Sequence, residues 1–254
     1  MEKELGDGNK MPGILPKPAQ YEITLLDWIE ANRGAAQYVA MANKCWPAFQ
    51  TEFGFVPCYV NSRLTARGIP VACEVDIYGA LSEFIGTCIT GESVTLLDIN
   101  NTVPADMYAA SIAGKFPYRH DETFMGFHCG NTPICRLKKG TMKYQLIMNR
   151  GLENGGEPDI TRGTLEGDII PGGITFFRLQ GNKDSVLTSY VAQGEVLPVD
   201  TQSFGGIGVF AIPEMNRFYR HVLIAGGYPH HGAVAFGHVG KAIFSTLKLL
   251  GVNT

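Results

Sequence analysis

The sequence has no long apolar run, no strong excess of charge of either sign and no apolar segment at its start. Because no apolar run reaches about 18 residues, a transmembrane helix is not expected. The net charge of −3 gives no electrostatic reason to expect nucleic acid or an anionic membrane as a partner. The first residues, MEKELGDGNKMPG, lack the apolar core of a secretory signal, so we expect a cytoplasmic protein.

The metal-binding and redox motifs that short spacings reveal are also missing. The sequence contains no CxxC pair, which argues against a zinc ribbon or a thioredoxin-like site. It has no HExxH motif, which disfavours a metallohydrolase of that type. Scattered cysteines without such pairs fit reduced thiols in a cytoplasm. The six cysteines are at positions 45, 58, 73, 88, 129 and 135.

The chain of 254 residues is long enough for a substantial core and for one or two domains. Residues 1–20 contain prolines and few large apolar side chains, so we expect a loose arm. Residues 21–91 predict a partial α/β domain that ends in a strand–turn–helix unit. Within it, we expect two helices over 25–53, a weakly indicated strand at 55–64, a strand at 69–75 and a helix at 76–89.

From residue 92 to residue 254 the pattern changes to short apolar stretches separated by turn residues, which is typical of strands. This spacing predicts an antiparallel, barrel-like or sandwich-like β domain, closed by helices near 214–223 and 239–250. The expected fold class is therefore a partial α/β domain followed by a β-rich domain. The predicted strands are SVTLLDI, TFMGFHC, MKYQLIMN, GGITFFRLQ, SVLTSYVAQGEVLPV and GIGVFAI.

Acidic residues stand at the ends of two predicted strands. Glu74 and Asp76 follow the apolar run IPVA, and Asp98 ends TLLD. Asp76 directly precedes the predicted helix, so we interpret it as an N-cap. Glu74 lies at the carboxyl end of a strand, where α/β proteins often bind ligands. Asp98 can either serve a similar role or start an Asx-turn in the following NNT loop.

Histidines occur near two other element ends. His230 and His231 lie in a predicted glycine-rich loop, with His238 before the last helix. His128 and Cys129 end the strand TFMGFHC, where a structural hydrogen bond is the default interpretation. Spacing alone does not join these segments in space, so the histidines support a metal site only modestly.

Five motifs together resemble the L-fucose isomerase and L-arabinose isomerase family, and the fucose isomerase side more closely. The resemblance runs from about residue 40 to the C-terminus, with the motifs in the family's order. Members of this family are aldose–ketose isomerases that use a divalent metal. The motifs are CEVDIYGALSEF, LLDINNT, GFHCGNTP, GTLEGDIIPGGITFFRL and HHGAVAFGHVGKAI.

The resemblance implies roles for individual residues. Glu74, Asp98 and His231 fall on the family's metal ligands, and the two acids fall on its proton acceptors. His128 and His230 are candidate sugar contacts. The implied cofactor is Mn²⁺, with Mg²⁺ or Co²⁺ as alternatives, which suits a site of two carboxylates and one imidazole. Isomerisation would move a proton between C1 and C2 of a small-molecule sugar through an enediolate.

Family members are longer than this chain, which corresponds to the end of their middle domain plus their C-terminal domain. The resemblance therefore implies a homo-oligomer, or an upstream polypeptide that supplies the remaining domains. A second hypothesis is a non-catalytic sugar- or metal-binding module that assembles with other chains. Retention of all three ligand types favours the isomerase.

Overall fold

A computed structural model describes residues 1–45, 47–145 and 161–254. The helices of these residues are α1 (Glu2–Leu5), α2 (Pro16–Asn32), α3 (Ala48–Phe53), α4 (Cys58–Ala66), α5 (Ile77–Thr90), α6 (Ala105–Ser111), α7 (Met215–Phe218) and α8 (Gly240–Leu249). The strands are β1 (Met41–Ala42), β2 (Val71–Ala72), β3 (Thr95–Thr102), β4 (Thr123–His128), β5 (Thr141–Gln145), β6 (Thr161–Asp168), β7 (Gly172–Gly181), β8 (Leu187–Leu197), β9 (Gly206–Ala211) and β10 (His231–Phe236). None of these helices is both long and apolar enough to cross a membrane.

One large sheet dominates the second part of the described chain. Its strand order is β4–β3–β10–β7–β8–β9–β6–β5, and its pairings are antiparallel except for β6 with β9. Strand β4 also pairs with β9 along its whole length. Six strands are therefore linked in an unbroken ring of pairings, from β3 through β10, β7, β8, β9 and β4 back to β3. The fold is mixed α/β with a mostly antiparallel sheet, as the sequence predicted.

The sheet is covered on both faces, and consecutive residues of one strand belong to different cores. Phe176 packs in the main cluster with Phe124 and Phe210. Its neighbour Phe177 packs in a second cluster with Ile243 of α8. Side chains of a strand alternate between the two faces of a sheet. A strand that is buried on both faces therefore has an unbroken apolar sequence, which in β7 is ITFF.

Helix α5 begins and ends where the sequence indicated. The Asp76 side chain accepts a hydrogen bond of 2.8 Å from the backbone N–H of Gly79, which confirms the predicted N-cap. Gly91 terminates the helix in the left-handed conformation, with φ of 69°. The helix is thereby fixed in register directly after the turn that contains Glu74.

The expected loose arm at residues 1–20 is wrong. This stretch contains α1, two 3₁₀ turns and the start of α2, and Leu5 is buried in the main core. The Tyr59 hydroxyl donates a 2.5 Å hydrogen bond to Glu4. Met1, Met11, Ile14 and Leu15 also pack against the main core, so apolar contacts attach the stretch to the rest of the protein.

The expected strand at 55–64 is also wrong, because residues 58–66 form helix α4. The polar residues that weakened the strand pattern have partners that a helix can reach. Asn61 accepts a 2.8 Å hydrogen bond from Asn43, and Arg63 donates one of 2.7 Å to Glu22. The predicted strand at 69–75 shrinks to Val71–Ala72, which pairs in parallel with β1.

The segment after His230 was predicted as a glycine-rich loop, but it forms β10 in the middle of the sheet, between β3 and β7. Gly232 is required there by packing, since a Cβ atom on it would lie 2.2 Å from Cζ of Phe176. The glycine that suggested a loop is therefore a point of close approach between a strand and an aromatic ring.

The remaining predicted elements agree with the structure in most places. The helix near 214–223 is present as α7 followed by a π-helical segment, Tyr219–Ile224. The motif GTLEGD, not assigned to a strand in advance, forms β6. Strand β5 ends at Gln145, and the rest of MKYQLIMN lies outside the described residues. All six cysteines are unbridged.

An apolar groove lies between β1 and α5, and we call it the β1–α5 groove. It is lined by Tyr38, Ala40, Met41, Ala42, Val75, Ile77, Ala80, Leu81 and Phe84. Tyr38, Val75 and Ile77 are 63%, 48% and 68% exposed. Among the described residues, β1 pairs only with β2. Parallel sheets are normally covered on both faces, so this small sheet leaves an unusual amount of apolar surface uncovered.

Helix α5 also buries a carboxyl group, Glu83, which is fully inaccessible to solvent. Neither of its oxygens has a hydrogen-bond partner among the described residues. Burial raises the pKa of Glu83 to about 8, and nearby His128 only partly opposes this. Glu83 is therefore neutral in the folded protein at pH values where it would be ionised in the unfolded chain.

The pH dependence of stability tests this assignment. Between the unfolded pKa of Glu83 and its folded value of about 8, the native state holds one more proton than the unfolded chain. Its contribution to stability should fall as pH rises through this window, by at most about 1.4 kcal/mol per pH unit. We expect Glu83→Gln to remove that slope, measured by urea unfolding from pH 5 to pH 8. Parallel curves for wild type and variant would show that Glu83 is ionised in the folded protein.

Candidate metal and sugar site

Strand pairing brings the first two predicted ligands together. In the antiparallel pair β3–β10, His231 stands directly opposite Asp98. Directly opposed side chains share a face of the sheet and have adjacent Cβ atoms. The Nε2 atom of His231 lies 3.1 Å from Oδ1 of Asp98. A one-residue shift of this register would send the two side chains to opposite faces.

The third predicted ligand reaches His231 from a strained turn. Strand β2 ends at Ala72, and both Glu74 and Val75 then adopt left-handed φ values of 60° and 58°. Such values are unfavourable for a β-branched residue and concentrate at functional sites. The turn is fixed by a 3.0 Å hydrogen bond from the Val75 N–H to the Asn43 carbonyl. It places Oε2 of the exposed Glu74 3.8 Å from Nε2 of His231.

The potential ligands form two overlapping sets that share His231. In each set, one donor atom from every residue lies within 4.8 Å of the others. The first set is Glu74, His128 and His231, and the second is Asp98, His230 and His231. The two predicted carboxylate ligands, Glu74 and Asp98, therefore lie on either side of the third, His231, although the two sets divide Glu74 from Asp98.

The donor atoms fit a divalent cation. Oδ1 of Asp98 and Nε2 of His231 are buried and lack a hydrogen-bond partner among the described residues, although they lie 3.1 Å apart. Nε2 of His128 is also buried, and it too has no partner in the part of the chain that the structure describes. Buried polar atoms are rarely left unpaired unless an ion or a ligand satisfies them. Carboxylate oxygens with imidazole nitrogen suit Mn²⁺ or Mg²⁺ better than a structural zinc.

The two histidines proposed as sugar contacts differ in environment. His128 ends β4 and is buried, with Nδ1 3.7 Å from the Cys129 sulfur. His230 is largely exposed, and its Nε2 lies 3.9 Å from Oδ1 of Asp98. His238 lies apart from both ligand sets, since its Nε2 contacts the Gly194 carbonyl at 2.9 Å. His238 therefore has a structural role, which is the usual role of an isolated histidine.

Asp76 does more than cap α5. Its Oδ2 atom accepts a 3.0 Å hydrogen bond from Nδ1 of His231. The Arg178 guanidinium also donates two hydrogen bonds to this carboxylate, at 2.7 and 2.8 Å. The sequence analysis missed this second role. The signal was the arginine within the apolar run ITFFRL, because a buried guanidinium needs an acidic partner.

The charges at the site favour a cation. Burial raises the pKa of Asp98, but contact with His231 and the nearby His128 outweigh it and leave the pKa below its usual value. Burial lowers the pKa of His231, but the carboxylates of Asp76 and Asp98 carry it to about 9. The acids are thus ionised at neutral pH, and His231 holds a proton beside them. A metal ion could take the place of that positive charge.

Known proteins are similar to this chain along most of its length. The chain is similar to sulfoquinovose isomerases from three bacteria. It is 28% identical to the one from Clostridium sp. (strain MSTE9), over 88% of this chain and 44% of that protein. It is 25% identical to the one from Priestia aryabhattai, over 100% of this chain and 51% of that protein. It is 26% identical to the one from Alkalicoccus urumqiensis, over 95% of this chain and 48% of that protein.

The chain thus spans about half the length of the curated relatives it matches. The model of the L-fucose isomerase C-terminal domain matches residues 126–254. That range contains His128, His230 and His231, and therefore a residue of each ligand set. The family expected from the five sequence motifs is confirmed: this chain belongs to the L-fucose isomerase C-terminal domain family.

Proposed function

We propose that this chain carries the metal and sugar site of an aldose–ketose isomerase. The observation that carries the proposal is the buried, unpartnered pair formed by Nε2 of His231 and Oδ1 of Asp98. Glu74, His128 and His230 complete the donor set. Mn²⁺ is the proposed metal, with Mg²⁺ or Co²⁺ as alternatives. When bound, such an ion supplies Lewis-acid stabilisation of negative charge on the sugar oxygens.

Glu74, on the turn after β2, and Asp98, within β3 rather than at the predicted strand end, are the acids that we propose to move the proton. Isomerisation takes a proton from C2 of the aldose, forms the enediolate of the sugar and returns a proton to C1, while the hydroxyl proton of O2 is transferred to O1. Glu74 is exposed on a turn, whereas Asp98 is mostly buried on β3. Both side chains carry a carboxyl group, a common general base, and they flank His231 from different elements. We assign them as the acceptor and donor of the proton, without assigning the order.

Sulfoquinovose is the first sugar to test, because the relatives that match along the chain are sulfoquinovose isomerases. L-Fucose, L-arabinose and D-arabinose are the sugars that the family resemblance adds. All four can undergo the same exchange of a proton between C1 and C2. The residues that distinguish them need not all lie in this chain, which covers about half of its relatives.

We further propose that the ring of six paired strands closes as a barrel, with a domain boundary near residue 91. The pairing of β4 with β9 and the cluster of Phe124, Phe176 and Phe210 support closure. Asp98 and His231 would then lie between the barrel and the α/β part that contributes Glu74. A site of this kind, between two domains, is a common location for ligand binding.

Metal binding is the first test. We expect the wild-type chain to bind Mn²⁺, as measured by calorimetry and by electron paramagnetic resonance. Asp98→Asn should weaken binding by at least about tenfold, since even residues behind the ligands commonly contribute that much. Asp27→Asn, an exposed site on α2, is the matched control and should have no effect. Wild-type protein that binds none of Mn²⁺, Mg²⁺ and Co²⁺ would contradict the proposal.

Turnover is the second test. Glu74→Gln removes a base and a potential ligand with little change in shape, so we expect turnover to fall about 10²–10⁴-fold. Glu52→Gln, another exposed glutamate, is the control. The assay is aldose-to-ketose conversion with Mn²⁺, for the chain alone and with the remaining half of a relative added. Metal binding without conversion of any of the four sugars in either mixture would favour a binding module.

The β1–α5 groove predicts assembly. We propose a homo-oligomer that covers this surface, or a further polypeptide that does so. Sedimentation should give a mass above that of one chain, and Ile77→Lys should reduce it by placing a charge in the groove. Ile224→Lys is the control, because Ile224 is similarly exposed but lies on the π-helical segment. A clean monomer at micromolar concentration would contradict the homo-oligomer.

A further inference from the structure

Arg178 is a buried cation on β7 that contacts no side chain of either ligand set. Its side chain is 3% exposed, so its charge must be compensated within the protein. Nη1 and Nη2 donate to the two oxygens of Asp76, at 2.7 and 2.8 Å. Nη1 also approaches the His231 carbonyl at 3.3 Å. Gln180 holds the guanidinium from its other side, with Oε1 3.2 Å from Nε and 2.9 Å from Nη2.

These contacts leave Asp76 no freedom to rotate. Its Oδ1 atom accepts from Arg178 and from the Gly79 N–H, at 2.8 Å each. Its Oδ2 atom accepts from Arg178 at 2.7 Å and faces Nδ1 of His231 at 3.0 Å. Two hydrogen bonds from one guanidinium fix the plane of a carboxylate, whereas a single hydrogen bond does not. Without the two bonds from Arg178, only the cap bond from Gly79 and the contact with His231 itself would hold Asp76.

The orientation of Asp76 decides which nitrogen of His231 is free. An ionised carboxylate can only accept, so Nδ1 of His231 must carry the proton that it shares with Asp76. In the neutral imidazole, the lone pair then belongs to Nε2, which faces Asp98 at 3.1 Å and Glu74 at 3.8 Å. Carboxylates behind a metal-binding histidine commonly fix its tautomer in this way.

We infer that Arg178 is a positioning residue for metal binding, acting through Asp76 on the tautomer and direction of His231. The inference rests on the proposed function, because it assumes that Nε2 of His231 is a metal ligand. Gln180, Arg178, Asp76 and His231 then form one continuous chain of hydrogen bonds. It runs from β7 through the N-cap of α5 to the first residue of β10.

A merely structural ion pair would predict something different. Removing it would lower the stability of the fold, while any folded molecules would retain the same His231 tautomer and the same metal affinity. A positioning role predicts changes in both of these properties in protein that is still folded. Because the Arg178 guanidinium makes two hydrogen bonds to Asp76, a positioning role also predicts that a planar guanidinium ion replaces it better than a spherical ammonium group.

The first measurement needs no metal. In the metal-free protein, ¹⁵N chemical shifts of the His231 ring at a pH where it is neutral should show the Nδ1–H tautomer. We expect Arg178→Ala to give a mixture of tautomers. For Arg178→Lys, the fraction of the Nδ1–H tautomer should lie between those of Arg178→Ala and wild type. Arg63→Ala is the control, because Arg63 is also a partly buried arginine in ion pairs but lies on α4. It should leave the His231 signals unchanged.

The second measurement is Mn²⁺ affinity by calorimetry. Arg178→Ala should weaken binding about 10- to 100-fold, the range usual for residues behind a metal ligand. Added guanidinium, well below denaturing concentrations, should restore part of the affinity, and methylammonium should restore less. If Arg178→Ala does not fold, Arg178→Lys and Gln180→Ala test the same chain of bonds with smaller losses.

The outcomes separate the two proposals. An unchanged His231 tautomer in folded Arg178 variants would overturn the inference, as would an altered tautomer with wild-type Mn²⁺ affinity. Wild-type protein that binds no divalent cation would instead refute the proposed function. In that case the tautomer measurement would still decide whether Arg178 orients His231.

Discussion

The candidate site is arranged around the antiparallel pairing of β3 with β10. This pairing sets His231 opposite Asp98, and a shift by one residue would separate them. Each strand is also held by a second neighbour, because β10 pairs with β7 and β3 pairs with β4. The pair is therefore held within the sheet by paired strands on both sides, which opposes local opening.

The third candidate ligand, Glu74, lies outside the sheet that holds this pair. Glu74 is exposed and lies on a turn with left-handed backbone at two successive residues. The turn is held between the small parallel sheet and the N-cap of α5, so its strain is balanced by contacts on both sides. The candidate site thus combines two donors on a paired sheet with one donor that is exposed to solvent.

The buried charges are arranged so that each has a specific partner. Arg178 and Asp76 compensate one another in the protein interior, and Asp76 also orients His231. Glu83 is the exception, since it is buried without a hydrogen-bond partner among the described residues and is neutral at pH 7. Keeping this carboxyl neutral avoids adding another negative charge behind ligands that are already acidic.

The sequence by itself determined α5 with its Asp76 cap, most strands of the large sheet and the identity of three potential ligands. These features follow from local rules: periodicity, capping chemistry and the family's motifs. It did not determine that the HHGAV segment is a strand, because Gly232 looks like a loop residue until Phe176 is packed against it. Only the tertiary structure decided the register of His231 with Asp98 and the double role of Asp76. Both depend on contacts between residues more than 100 positions apart, and no local pattern encodes such contacts.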